Sequence, residues 1–265
     1  MSARLITSPA NDEIKAIRAL ERRKERRETG LFIAEGLRHV LEGIQNGWEL
    51  HRLVFHTKVS GKNEIRSAQR ACVAGGGQCF EVNDAVLEKL SHKDNPQQVI
   101  GVFKQRISTL ADLPKNSCIV ALEQVRDPGN LGTILRTVDG VGADAVILID
   151  QCCDPFSVEA VRASMGSLFA VPMAQTTREE FTAYMRAWKG AVIGTHLSER
   201  TVDYREATYT QPVLLVMGNE QAGLSPELSG ALPTLVKLPM KGRADSLNLA
   251  IATGVMLYHI QDRTG

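Results

Sequence analysis

CIVALEQVRDPGNLGTILR, residues 118–136, decides the fold of the larger part of this chain. Its first six residues are an apolar run closed by Glu123, the pattern of a strand covered on both faces. Asp127, Pro128 and Gly129 then turn the chain, and Asn130 is placed to cap a helix. The spacing predicts that helix over 131–141, with Arg136 nearly two turns in. A buried strand that leads through a polar turn into a helix is one unit of a parallel sheet with helices on both sides. Outward from it, similar runs recur as AVILID (145–150), AVIGTHL (191–197), PVLLVMG (212–218) and TLVKLPM (234–240). Helical patterns separate them at 158–165, 179–188 and 247–260. The expectation is an α/β domain with a mostly parallel sheet over 117–265.

The other half reads as a smaller α/β domain over 1–107. LFIAEG (31–36) precedes a helical pattern at 37–45, LVF (53–55) is a strand, and three glycines at 75–77 turn the chain into QCFEV (78–82). A short helix at 84–90 and VIGVFK (99–104) complete it. The polar stretch 107–117, with Asp112, Pro114, Lys115 and Asn116, reads as the connector. The chain opens on an expected helix, capped by Ser8 or by Asn11, with Ile14, Ile17 and Leu20 as its apolar face, that runs on to Gly30. Arg18, Arg22, Arg23, Lys24, Arg26 and Arg27 give it a basic stripe that suits phosphate contact. The same run also fits a solvated face held by Glu21–Lys24, Arg22–Glu25 and Lys24–Glu28 pairs.

Composition excludes several classes. With 265 residues, 43% hydrophobic and 23% charged, the chain is neither disordered nor fibrous. No apolar run approaches the roughly 18 residues of a membrane span, and the N-terminus lacks a secretory core, so the expected location is the cytoplasm. Five cysteines without a C-x-x-C pair predict reduced thiols, and six scattered histidines predict no metal site. The absence of G-x-G-x-x-G and of G-x-x-x-x-G-K-[ST] argues against a standard dinucleotide site and a P-loop. Net charge is only +1, so any nucleic-acid contact must come from placement rather than from total charge.

Three loops at strand ends carry polar residues, where α/β sheets bind their ligands. They are 123–136, MGNEQAGLSPEL (217–228), in which Gly218 and Gly223 bracket Asn219 and Glu220, and LPMKGRADSLNLAIA (238–252). In the third, Gly242 turns the chain and Ser246 is expected to cap the last helix, with Asn248 in its first turn. Each loop alone is explained by turn and cap chemistry; the three together suggest one composite site.

NLGTILR, MGNEQAGL and LPMKGRADSLNLAIA resemble, in order, the three motifs of the SpoU (TrmH-type) RNA 2′-O-methyltransferases of the SPOUT superfamily. The segment SPANDEIKAIRALERRKERRETGLFIAEGLRHV resembles the substrate-binding domain, ribosomal-protein-like in fold, that precedes the catalytic domain in members acting on ribosomal RNA. The resemblance implies a knotted C-terminal domain, S-adenosylmethionine as methyl donor, and a homodimer with its pocket at or near the interface. Carried over by position, it implies Thr195, Gly218, Asn219, Leu238, Ser246 and Leu247 around the cofactor. It likewise implies Asn130, Arg136, Glu220, Ser246 and Asn248 as the catalytic set, and turns the basic run toward RNA. Arg136 is the favoured activating group, binding a phosphate or a developing alkoxide; Asn130 orients it or the ribose, and Glu220 organises its loop. Two other readings stand beside this one: a transfer-RNA ribose methyltransferase, disfavoured by the N-terminal domain, and an inactive RNA-binding assembly factor, disfavoured by the intact motifs. A small-molecule enzyme would leave the basic helix unexplained.

Overall fold

The computed structural model of the chain describes residues 3–91 and 96–264, so the outermost positions of the two expected domains, 1 and 265, lie outside it. The chain divides into two compact units, Met1–Arg106 with Asp154–Ala170, and Ile107–Cys153 with Val171–Gly265. The polar stretch after residue 107 therefore groups with the second unit, where Ser108 bridges Ala174. The stretch Asp154–Ala170 groups with the first.

The first unit contains β1 (Arg4–Ile6), α1 (Asp12–Ala19), α2 (Arg23–Thr29), β2 (Leu31–Glu35), α3 (Leu37–Gln45), β3 (Leu50–His56), α4 (Asn63–Ala74), β4 (Gln78–Val82), α5 (Asp84–Ser91) and β5 (Val99–Lys104). Among the described residues its sheet has the order β1-β4-β3-β5-β2, parallel except that β5 runs against β3 and β2. The two-residue period of a strand sorts the side chains. Ile33, Val54, Ile100 and Val102 join Ile14 and Ile17 of α1 and Val86 and Leu87 of α5 in one core. Phe32 and Phe103 fall into an aromatic cluster with Trp48, Phe156 and Phe169, the last pair of rings, Phe103 and Phe169, 4.9 Å apart. Phe156 and Phe169 come from Asp154–Ala170, and the Trp48 indole donates to the Phe169 carbonyl at 2.9 Å. These apolar contacts explain why that stretch groups with the first unit. Gly43 of α3 makes the arrangement possible, because a Cβ there would lie 2.6 Å from the Phe103 ring.

The single opening helix expected from the sequence is two helices. Asn11 caps α1 by accepting from the Glu13 N–H, which leaves Ser8 outside it. A continuous helix would then give the Leu20 and Glu21 carbonyls to the N–H groups of residues 24 and 25. Instead both carbonyls accept from Nη1 of Arg26 at 2.7 Å, and the helix breaks between Ala19 and Arg23.

The second unit follows with β6 (Cys118–Glu123), α6 (Pro128–Val141), β7 (Ala145–Ile149), then α7 (Val158–Ala163) within the stretch that belongs to the first unit. It continues through β8 (Met173–Thr176), α8 (Arg178–Arg186), β9 (Val192–Thr195), β10 (Val202–Asp203), β11 (Val213–Met217), α9 (Pro226–Ala231), β12 (Thr234–Lys237) and α10 (Leu249–Thr264). Among the described residues the sheet has the order β10-β12-β9-β11-β6-β7-β8 and every pair is parallel. One face packs Ile119, Ile147, Leu214 and Val216 against Phe181 and Met185 of α8, Leu228 of α9 and Leu232 just after it. On the other side α10 lies along α6. Strand order reverses beside β6: β7 and β8 extend one way, and β11 inserts on the other. The loops leaving β6 and β11 are therefore neighbours at a topological switch point, where doubly covered sheets hold ligands.

Candidate functional site

The loops after β6 and β11 and the segment between β12 and α10 meet in two adjoining hollows of the second unit. The first, of about 410 Å³, is lined by all six residues expected around the cofactor: Thr195, Gly218, Asn219, Leu238, Ser246 and Leu247. That volume lies within the roughly 300–1,000 Å³ usual for small-molecule sites. The second, of about 420 Å³, shares Asn219, Glu220, Ser246 and Leu247 with it and adds Asp127, Asn130 and Asn248. Gly218 is required where it stands, since a Cβ would collide with the Gly223 carbonyl carbon. Asn219 and Gly223 close the turn by exchanging backbone hydrogen bonds at 2.9 Å.

Asn130, Glu220 and Asn248 form a directed chain of hydrogen bonds. The Glu220 carboxylate accepts from the backbone N–H of Arg126 and of Asp127 and from Nδ2 of Asn130, each at 3.2 Å. Oδ1 of Asn130 accepts from Nδ2 of Asn248 at 2.9 Å. Oδ1 of Asn248 in turn accepts from the N–H groups of Ala250 and Ile251 at the start of α10. Both amide orientations are thereby fixed, and the beginnings of α6 and α10 are tied through one carboxylate. Two caps differ from the sequence expectation. Asp127, not Asn130, caps α6, because Pro128 takes the first helical position and Asp127 accepts from the Asn130 N–H at 2.7 Å. Asn248, not Ser246, serves the first turn of α10, which begins only at Leu249.

Residues that sequence reasoning passed over hold these loops in place. Glu123, the last residue of β6 and only 2% exposed, accepts from Ser225 Oγ at 2.6 Å, Ser225 N–H at 2.8 Å and Arg178 Nε at 3.1 Å. Ser225 caps α9, so this carboxylate anchors the far end of the β11 loop to β6. Gln124 adopts a left-handed backbone conformation, φ 52°, and its carbonyl accepts from Asn219 Nδ2 at 2.7 Å. Nothing in the pattern marks a glutamine for that conformation. His196 also lines the cofactor hollow, without a motif to flag it.

Arg136 is not brought to these residues. It stands exposed on α6 and lines neither hollow. The basic run divides as well. Arg26 is withdrawn from any phosphate: it is 4% exposed, its Nη1 is held by two carbonyls, and its Nε donates to Asp154 at 2.8 Å. Its assignment to RNA contact is therefore corrected, since a guanidinium so engaged has no free donors facing solvent. Arg22 and Lys24 are exposed and pair with Glu25 and Glu28, Arg23 and Arg27 are exposed, and Arg18 is half-buried.

The first hollow combines apolar walls with open backbone. Leu238, Leu247 and Met240 supply apolar walls. Among the described residues no backbone hydrogen bond engages positions 238–247, so their peptide N–H and C=O groups remain available to a ligand. All five cysteines are free, and among the described residues no cluster of His, Cys, Asp or Glu could hold a metal. No helix among them is long and apolar enough to cross a membrane.

Comparison with known proteins bears on both units. Residues 117–258 match the SpoU rRNA Methylase family, and residues 11–101 match the MRM3-like substrate binding domain. The fold resembles that of an AdoMet-bound rRNA methyltransferase from Sinorhizobium meliloti, at 45% identity with a TM-score of 0.91 over 98% of each chain. The chain is 28% identical, over 97% of its length and 98% of the relative's, to the 23S rRNA (guanosine(2553)-2′-O)-methyltransferase RlmP of Bacillus subtilis. It is 29% identical, over 97% of its length and 91% of the relative's, to the 23S rRNA (uridine(2479)-2′-O)-methyltransferase of Streptomyces viridochromogenes.

Proposed function

The chain belongs to the SpoU rRNA methylase family, and from that membership we propose that it is an S-adenosylmethionine-dependent methyltransferase acting on a ribose 2′-hydroxyl of ribosomal RNA. The observation that carries this reading is the convergence of Thr195, Gly218, Asn219, Leu238, Ser246 and Leu247 on one cleft that adjoins Asn130, Glu220 and Asn248. When bound, S-adenosylmethionine supplies an electrophilic methyl group. Leu238, Leu247, Gly218, Asn219 and the open peptide groups of 238–247 would hold the cofactor.

The protein must align a hydroxyl and help its proton leave. Glu220 is occupied by three N–H donors, which makes it the organiser of two loops rather than the proton acceptor. The Ser246 hydroxyl lies on the wall shared by both hollows and has no hydrogen-bond partner among the described residues, so it is the group free to meet the ribose. Arg136, exposed on α6 and outside both hollows of its own chain, would meet the neighbouring phosphate or the developing alkoxide at the site of a second copy, since a guanidinium is too basic to accept a proton.

Homodimerisation fits the same picture. Ile251, Val255 and Tyr258 are 58%, 38% and 53% exposed and lie on one stripe of α10. A second copy covering that stripe would lie next to α6, the helix that carries Arg136 and packs along α10. The knotted threading is carried over from the family; after β12 the chain returns to pack α10 on α6 and β11. With ribosomal RNA as the substrate, the cytoplasm is the location proposed for it.

The test is methyl transfer from labelled S-adenosylmethionine to unmodified ribosomal RNA, with transfer RNA in parallel and Arg136→Ala as control. Label in ribosomal RNA, lost in the variant, is the expected result. Label confined to transfer RNA would move the substrate, and failure to bind the cofactor by calorimetry would remove the enzyme reading.

A further inference from the structure

The first unit carries a hollow of about 740 Å³ bounded by β1, β4 and α4 and lined in part by Arg4, Arg66, Gln69, Arg70, Gln78 and Cys79. Its described lining contains no carboxylate. Arg66 and Arg70 are exposed, one turn apart on α4, and neither has a carboxylate partner among the described residues. Two like charges at that spacing destabilise a helix when nothing opposes them. Arg4 sits over the Phe80 ring, 5.0 Å from its centroid, which fixes the guanidinium while leaving its N–H fork free. Gln69 and Gln78 add neutral donors and acceptors, and among the described residues β1 is the outer strand of the sheet, with no strand neighbour on one side of its backbone. By contrast, Arg22 and Lys24, at the start of α2, are paired with glutamates and Arg26 is buried.

We propose that this groove is a second RNA-binding surface, in which Arg4, Arg66 and Arg70 hold the phosphodiester backbone of the substrate without reading its bases. The proposal rests on the reading of the chain as an RNA methyltransferase. Guanidiniums suit phosphate because two N–H groups of the fork can meet two oxygens at once. The rise of α4 between Arg66 and Arg70, about 6 Å, matches the order of spacing between successive phosphates of an RNA strand. Contacts of this kind position the substrate and supply salt-dependent affinity rather than sequence preference.

The experiment compares the full-length protein with Arg66→Gln/Arg70→Gln, and with Arg4→Gln added. Affinity for a ribosomal RNA fragment is measured by filter binding between about 50 and about 200 mM salt. Circular dichroism and calorimetric binding of S-adenosylmethionine establish that the variants are folded and their second unit intact. The double variant is expected to bind at least about tenfold more weakly at low salt. Its slope of log affinity against log salt should be shallower by about 1 for each lost phosphate contact. At saturating RNA its turnover should be unchanged, with the loss confined to KM. Unchanged affinity and slope, in a preparation whose wild type methylates ribosomal RNA, would overturn the groove and leave the enzyme reading intact. A wild type that binds cofactor but neither binds nor methylates RNA would overturn both.

Discussion

Asn130 commits both ends of its amide, one to the Glu220 carboxylate and one to Asn248, so its side chain has a single workable orientation. Asn130→Asp removes the donor to Glu220 and sets a second carboxylate beside the first. Like charges at that distance repel even when partly solvated. Methyl transfer should fall at least about a hundredfold in kcat/KM, about 2.7 kcal/mol of barrier, while the thermal midpoint stays near wild type because the site is exposed. Near-normal turnover in radiolabel assays would remove Asn130 from the site. His39 tests a different physics. It is 7% exposed, its Nε2 has no hydrogen-bond partner among the described residues, and burial lowers its pKa below the ordinary 6.5, opposed by the Glu35 and Val161 backbones. His51 and His259 are lowered for the same leading cause. Below pH 6.5 the unfolded chain takes up protons that the folded chain refuses, so unfolding becomes easier as pH falls from 6.5 toward the folded pKa. The urea midpoint should therefore be lower at pH 5.5 than at pH 7.5, and His39→Phe should flatten that difference. At this scale the sequence supplied the residue types of the site through its motifs. It could not say which polar atom caps which helix, because Asp127, Asn130, Ser246 and Asn248 are all competent cap residues.

Most elements were legible where the pattern was strong. QCFEV, VIGVFK and CIVALE coincide with β4, β5 and β6, since alternation or an unbroken apolar run leaves a strand little choice. The edge strands β1 and β10, the short β8 and the helices α4 and α9 left weaker marks and were missed. The loops are governed by supports that local pattern does not encode. Glu123 reads as the polar end of a strand, yet it binds Ser225, about a hundred residues away in the chain. Glu123→Gln keeps the size but removes the charge facing Arg178, which is 30% exposed. Allowing for that solvent screening, the expected loss of stability is about 2 kcal/mol, read from urea unfolding. With its anchor weakened, the 218–224 loop should bind S-adenosylmethionine several-fold less tightly in calorimetry. Unchanged affinity would mean that Glu123 serves the fold alone.

For the whole molecule, the exposed stripe of α10 makes oligomeric state the informative measurement. Wild type should sediment as a dimer at micromolar concentration, and Ile251→Glu/Tyr258→Lys as a monomer with unchanged circular dichroism and much reduced methyl transfer. A wild type that sediments as a monomer would put the stripe to another use. The sequence by itself determined the α/β class and the mostly parallel sheet of its larger part. Each of these follows from short-range periodicity or from motifs whose residues lie close together in the chain. Tertiary structure alone decided that β11 inserts between β9 and β6, which makes neighbours of two loops about ninety residues apart. It also assigned Asp154–Ala170 to the first unit, buried Arg26 against Asp154, and left Arg136 outside the cleft. Those outcomes depend on which distant surfaces bury each other, and the free energy of that burial is set by shape and contact across the fold.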